Sequence, residues 1–141
     1  MPALAAMEDR IAAVLAQHSW VVLQEAGGVR GFAYAGPFGD RAAYRWSCIV
    51  SVYLEPGRRR TGAGRSLYLT LFDRLVARGY VVAAAGITLP NEPSLALHRA
   101  LGFTEVGVHR GIGWKHGIWR DVSWLQRDLV TPRPAHSPAP W

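Results

Sequence analysis

Arg58-Arg59-Arg60-Thr61-Gly62-Ala63-Gly64-Arg65 follows an apolar run, Cys48 to Leu54, and leads into an amphipathic run, Ser66 to Arg78. The order predicts a strand, a glycine turn and a helix. Gly62 and Gly64 carry no side chains, so their backbone N–H groups can come close to a ligand. They fall where a helix begins, at N–H donors without intrahelical partners and at the positive end of the helix dipole. Four arginines flank the same turn. A plain strand-to-helix turn with solvated arginines is the alternative, but the combination describes a phosphate-binding site.

The rest of the chain limits what that site can belong to. Its 141 residues make one domain, and half of them are hydrophobic, enough for a sizeable core. Six Trp, five Tyr and four Phe argue against disorder. Cys48 is the only cysteine, which excludes an internal disulfide and a cysteine-based zinc site. His18, His109 and His136 lack partners at ligand spacing, so no metal is expected. No apolar run is long enough to cross a membrane, and the opening segment has Glu8 and Asp9 with no basic stretch. These features predict a cytoplasmic protein without a membrane partner. The net charge of +6 suits a polyanion, either nucleic acid or a phosphorylated cofactor. No nucleic-acid motif is present and the phosphate turn accounts for the densest arginine cluster, so a nucleic-acid partner is not expected. Apart from Lys115, every basic side chain other than histidine is an arginine.

Read in order, residues 3–17 have helical periodicity, and Ser19 to Glu25 and Val29 to Ala35 read as strands joined at Ala26-Gly27-Gly28. Tyr44 to Leu54 reads as one long strand, with Ile49, Ser51 and Tyr53 on one face and Cys48, Val50, Val52 and Leu54 on the other. Leu67, Leu71 and Leu75, flanked by Tyr68 and Phe72, stripe the helix that ends at Arg78-Gly79. Tyr80 to Gly86 reads as a buried strand, Asn91 to Leu101 as a short helix, and Phe103 to Val108 and Trp119 to Leu125 as strands around Lys115-His116-Gly117. Residues 1–130 form the domain, and 131–141 (TPRPAHSPAPW) a Pro-rich disordered tail.

A second candidate site lies at Asn91-Glu92-Pro93-Ser94, followed by His98. Ser94 and His98 are four apart and share a helix face, while Asn91 can cap the helix and still present its amide. Taken alone, His98 fits a buried ring satisfied by a backbone partner. A proton-transfer residue near the phosphate turn is the sharper possibility.

These segments together resemble the GCN5-related N-acetyltransferases, and among them the phosphinothricin and methionine sulfoximine N-acetyltransferases. The segments are Phe32-Ala33-Tyr34-Ala35-Gly36-Pro37, Ser51-Val52-Tyr53-Leu54, Arg59-Arg60-Thr61-Gly62-Ala63-Gly64, Leu89 to Ser94 with His98 and Ala100 to Phe103, and Lys115-His116-Gly117 with Trp119, Asp121 and Gln126 to Leu129. Five motifs in the family's order span roughly Trp20 to Leu129.

The resemblance implies an α+β fold of three layers, with a mixed, mostly antiparallel central sheet flanked by helices. It implies acetyl-CoA as co-substrate, without a metal, and a small amino-acid-like amine as acceptor, attacked directly. Arg59, Arg60, Thr61, Gly62, Ala63, Gly64 and Arg65 would cradle the pyrophosphate. The pantetheine arm would pair with the backbone at Val52, Tyr53 and Leu54 like an added strand, and an N–H there would hold the thioester carbonyl. Asn91 and Ser94 would help to fix the cofactor, and His98, Ser51 and Tyr53 would serve catalysis as acid or water organisers. Tyr44, Trp119 and Asp121 would meet the acceptor. Lys115 and His116 invite the same role, and packing within a hairpin is the alternative for all of these C-terminal residues.

Two departures from the family pattern follow. Relatives open with a strand and a helix before the helix at 3–17, so the first strand is expected to be missing, with a homodimer covering the gap. The general-base Glu that the pattern places shortly before Val52-Tyr53 corresponds to Ile49, which cannot accept a proton. An active N-acetyltransferase and a degenerate domain that binds acyl-CoA without turnover both remain open.

Overall fold

The computed structural model describes residues 20–25, 28–55 and 62–135. The helix expected at 3–17, the turn residues Ala26 and Gly27, the loop residues Arg59, Arg60 and Thr61, and tail residues 136–141 lie outside them.

Strand β1 (Trp20–Glu25) pairs antiparallel with β2 (Gly28–Pro37), and β2 with β3 (Ser47–Leu54). Helix α1 (Ala63–Ala77) then crosses to β4 (Val82–Thr88), which lies parallel to β3. Helix α2 (Glu92–Ala100) leads to the hairpin of β5 (Thr104–Lys115) and β6 (Ile118–Asp128). Among the described residues six strands form one sheet in the order β1-β2-β3-β4-β6-β5, with β3–β4 as the only parallel pair among them.

The expectation of one strand from Tyr44 to Leu54 needs correcting. Tyr44 ends a short 3-10 turn, Ala42–Tyr44, in which its N–H donates to the Arg41 carbonyl (3.0 Å). The strand starts only at Ser47. Such i→i+3 bonding removes the backbone groups that a ladder would need.

Alternation sorts the sheet into two faces. Ala33, Ala35, Cys48, Val50, Ala83, Ala85, Ile87 and Leu125 are buried and share one core with Leu67, Tyr68, Leu71, Phe72 and Leu75 of α1 and with Leu95 of α2. The apolar stripe of α1 thus covers small β-face residues, which lets the helix come close. Both described helices meet on this face: a Cβ placed on Gly64 of α1 would lie 3.0 Å from Leu97 of α2. The described residues therefore give a sheet and one helical layer. The opposite face carries Phe32, Ile49, Ser51 and Tyr53, with Phe32 and Tyr53 stacked at 5.4 Å. Cys48 is core: its Sγ donates to the Val82 carbonyl (3.6 Å) and burial pushes the thiol up to about 12, so it offers no thiolate near neutrality. The start of the expected tail is placed, with Arg133 holding Asp128 at 2.6 Å.

Candidate functional site

The parallel pairing of β3 and β4 runs only from Ser47↔Val82 to Ile49↔Ala84. Beyond it, β3 stays paired with β2 and β4 with β6, so the two central strands diverge. An antiparallel ladder alternates the direction of its backbone groups. The Glu55 N–H donates to Arg30 across the β2–β3 ladder (2.9 Å), so the odd residues 51, 53 and 55 point their polar groups to β2. Val50, Val52 and Leu54 consequently direct theirs into the gap.

A cleft of about 230 Å³ occupies this divergence. Val50, Ser51 and Val52 form one wall, Ala85 to Thr88 the other, and Tyr68, Asn91, Ser94, His98 and Lys115 complete it. The structure thus gathers Ser51, Val52, Asn91, Ser94 and His98 in one place. Leu54 lies further along, with Cδ1 3.3 Å from the position of a Gly64 Cβ. Tyr53 faces away, 42 % exposed, against Phe32.

At the head of α1, Gly62 takes the cap position with φ +83°, where an L side chain is strained, and among the described residues beyond its chain neighbours no atom lies within 4 Å of its Cβ position. The first helical bond runs from the Ser66 N–H to the Gly62 carbonyl, which leaves the N–H groups of Ala63, Gly64 and Arg65 without intrahelical partners. No acidic side chain stands in that first turn. The two glycines have separate jobs. Gly62 keeps the approach to the helix start open, whereas Gly64 is buried against Leu97 and Leu54 and allows α1, α2 and β3 to come together.

Asn91 caps α2 by accepting the Ser94 N–H on its side-chain oxygen (3.2 Å), which leaves its amide NH2 available to the cleft. His98 is held at both ring nitrogens. Its Nδ1 lies 2.7 Å from the Ser94 carbonyl, which can only accept, so Nδ1 carries the proton. Nε2 then accepts the Tyr68 hydroxyl at 2.8 Å. The ring is 2 % exposed and Tyr68 0 %. Burial raises the Tyr68 pKa and lowers that of His98, the latter against an opposing pull from the Ser94 carbonyl. Both groups are neutral near pH 7, and His98 enters the cleft as a fixed wall.

That lowered pKa carries a prediction. The folded chain binds the His98 proton less readily than the unfolded one. The associated stability is complete above about pH 6.5, and it is lost as pH falls from there towards the lower folded value. Across that window the unfolding free energy of the wild type is expected to drop more steeply than that of His98→Gln, by at most about 1.4 kcal/mol per pH unit. Denaturant titrations at several pH values measure it; parallel curves for the two proteins would contradict it.

Other expected residues stand elsewhere. Tyr44 packs edge-on against Phe38 at 5.5 Å and does not line the cleft. Trp119 is 64 % exposed and meets Trp114 edge-on at 5.3 Å. Asp121 accepts from the Gly111 N–H (2.8 Å) and from Arg110 (3.0 Å), which together lower its pKa, the backbone bond first. It clamps the irregularity in β5 where the register shifts between His109 and Gly113. Glu55, the acid nearest the glycine turn, pairs with Arg30 at 3.1 Å. Tyr68 and Thr88 line the cleft without having been singled out from the sequence. Tyr68 left one signal, a hydroxyl inside an apolar stripe, which has to find a partner.

Comparison with known proteins supplies context. A sequence profile of the Acetyltransferase (GNAT) family matches residues 2–103. The phosphinothricin N-acetyltransferase of Streptomyces viridochromogenes is 43% identical over 118 residues, which are 84% of this chain and 64% of that protein. The L-methionine sulfoximine/L-methionine sulfone acetyltransferase of Salmonella typhimurium is 35% identical over 109 residues, 77% of this chain and 64% of that one. The chain thus spans less than two thirds of the length of these relatives. Among solved structures, a GNAT superfamily phosphinothricin acetyltransferase from Sinorhizobium meliloti in complex with AcCoA superposes with a TM-score of 0.81 at 36% identity, over 96% of this chain and 77% of that one.

Proposed function

Because the chain belongs to the acetyltransferase (GNAT) family, we propose that it moves the acetyl group of acetyl-CoA to the primary amine of a small amino-acid-like acceptor, of the kind named for its phosphinothricin and methionine sulfoximine relatives. The observation that carries this reading is the divergence of β3 and β4 beside the bare helix start at Gly62.

The residues present fit acetyl-CoA. Val52, Leu54 and the Val50 carbonyl offer backbone groups without ladder partners on the cleft side, where an extended amide-bearing arm pairs like a strand. The N–H groups of Ala63, Gly64 and Arg65 supply the anion site that a pyrophosphate requires, and Arg59, Arg60 and Thr61 extend it by sequence. Bound acetyl-CoA supplies the activated acyl group. Asn91 donates its free amide NH2 and Ser94 its hydroxyl along the same wall. His98 and Tyr68 exclude water and keep that wall in one conformation. Ser51 presents the hydroxyl that can hold a water at the cleft, and Tyr53 stands on the face of Ile49, which would be the acceptor side.

No Asp or Glu lines the cleft among the described residues, so the acceptor is expected to react as the free amine. On that account kcat/KM rises with pH up to the amine's own pKa. Ile49 also favours a second reading, a domain that binds acyl-CoA without turnover. Free CoA release, followed with acetyl-CoA and a panel of amino acids including phosphinothricin and methionine sulfoximine, separates the two. Turnover that increases with pH supports the enzyme, and acetyl-CoA binding without release of CoA supports the binder.

The same reading carries a homodimer and a cytoplasmic location. Trp114 and Trp119, paired across the β5–β6 hairpin and each 64 % exposed, offer the apolar surface that a second copy would cover. Sedimentation equilibrium reads the mass directly.

A further inference from the structure

We propose that Lys115 is the anchor for the acceptor's carboxylate, so that the cleft selects amino acids over amines that lack a neighbouring acid. The inference rests on the acetyltransferase reading of the same cleft.

Lys115 lies at the end of β5 and lines the cleft together with Ser51, Thr88 and Asn91. It is the only formally charged residue among the described ones that line the cleft. His98 and Tyr68 are held neutral, and the remaining lining is apolar or hydrogen-bonding without charge. The hairpin that carries Lys115 contains acids, but each is engaged by an arginine: Glu105 by Arg99, Asp121 by Arg110 and Asp128 by Arg133. Lys115 has no carboxylate partner among the described residues. Lys115 is exposed, so water solvates its ammonium, and with no acid of the described residues engaging it the charge is free to pair with an acid that a ligand brings.

The backbone supports this placement. The turn after Lys115 uses His116 at φ 52° and Gly117 at φ 79°, and Arg120 donates its Nε to the Lys115 carbonyl at 3.3 Å. The residue is thus tied down by its main chain while its ammonium is left for the cleft. An ammonium is a compact point charge that tolerates the angle at which a small acid arrives, unlike the planar fork of the arginines used everywhere else in the chain. The pyrophosphate of acetyl-CoA has its own site at the head of α1, which leaves Lys115 for the second substrate.

The test compares L-methionine sulfoximine with its α-carboxamide on wild type, Lys115→Gln and Lys115→Arg. A hydrogen bond to a charged group is worth about 1.5–3 kcal/mol, so Lys115→Gln is expected to lower kcat/KM for the acid about 10–100-fold, mainly through KM. It should leave the carboxamide nearly unchanged, and Lys115→Arg should recover part of the acid's rate. Equal losses on acid and amide, or a matching loss in acetyl-CoA affinity, would overturn the assignment. A second measurement does not need turnover. As the only lysine, Lys115 gives a single side-chain resonance in [13C]lysine-labelled protein. The acid is expected to shift it in the presence of CoA and the carboxamide is not. An unmoved resonance with both ligands refutes the anchor even in an active enzyme, whereas a shift without CoA release keeps the anchor and refutes the acetyltransferase.

Discussion

Ile49→Glu is expected to raise kcat/KM for an amino-acid acceptor about 10²–10⁴-fold at neutral pH, the usual contribution of a positioned general base. Ile49 is the last β3 residue paired to β4 before the strands part, opposite Ala84, and it pairs with Gly36 on the other side. Its side chain lies on the face of Ser51 and Tyr53, away from the helices. A carboxylate there would stand beside the opening of the cleft and on the side from which an acceptor can enter. The site is half-buried and flanked by apolar groups, so desolvation would lift the carboxyl's pKa towards the range that suits a base near pH 7. The gain should be largest below the pKa of the free amine, where the wild type depends on the small unprotonated fraction, and should fade above it. Initial rates across pH for both proteins measure this. A folded variant with an unchanged profile would show that the proton leaves by a route that does not pass position 49.

Gly62→Asp is expected to weaken acetyl-CoA binding at least about 100-fold while leaving the fold in place. Among the described residues no neighbour outside the adjacent ones crowds the Cβ position of Gly62, and Asp is among the non-glycine residues that best bear the strain of a left-handed backbone. An acid at a helix start is favourable to the helix itself. The same charge repels a pyrophosphate from the Ala63, Gly64 and Arg65 amides, and the change from attraction to repulsion is worth several kcal/mol at short range. Gly64→Ala provides the contrast. Its methyl group would press on Leu97 at 3.0 Å and Leu54 at 3.3 Å, so its main cost is stability, about 1–3 kcal/mol by overpacking. Calorimetric titration with acetyl-CoA and thermal denaturation of both variants distinguish the two effects. Unchanged affinity in Gly62→Asp would remove the helix start from the cofactor site.

The Gly62–Gly64 pair illustrates how far local pattern reaches. Their spacing after an apolar run is enough to locate the helix start, because strand alternation, helical periodicity and a glycine cap act over a few residues. The division of labour between them was not legible, because Leu97 lies in another helix and meets Gly64 only after folding. His98 illustrates the same limit. Its spacing from Ser94 correctly puts the two in contact through Nδ1, but Tyr68, which completes its bonding, is thirty residues away. The partners of Asp121, Gly111 and Arg110, likewise come from the facing strand β5 and cannot be read from its own neighbours in sequence.

By itself, the sequence determined the order of strands and helices from Trp20 onward, the Asn91 cap, the buried Leu67-Leu71-Leu75 stripe and the glycine-capped start of α1. Each follows from short-range periodicity or capping. Only the tertiary structure decided that β3 and β4 part after Ile49 and Ala84, that Val50, Val52 and Leu54 point their backbone into that gap, and that Lys115 lines it as the one charged residue among the described lining. Those facts depend on register between distant strands and on which acids the arginines have already taken. Such long-range contacts exist only in the assembled sheet.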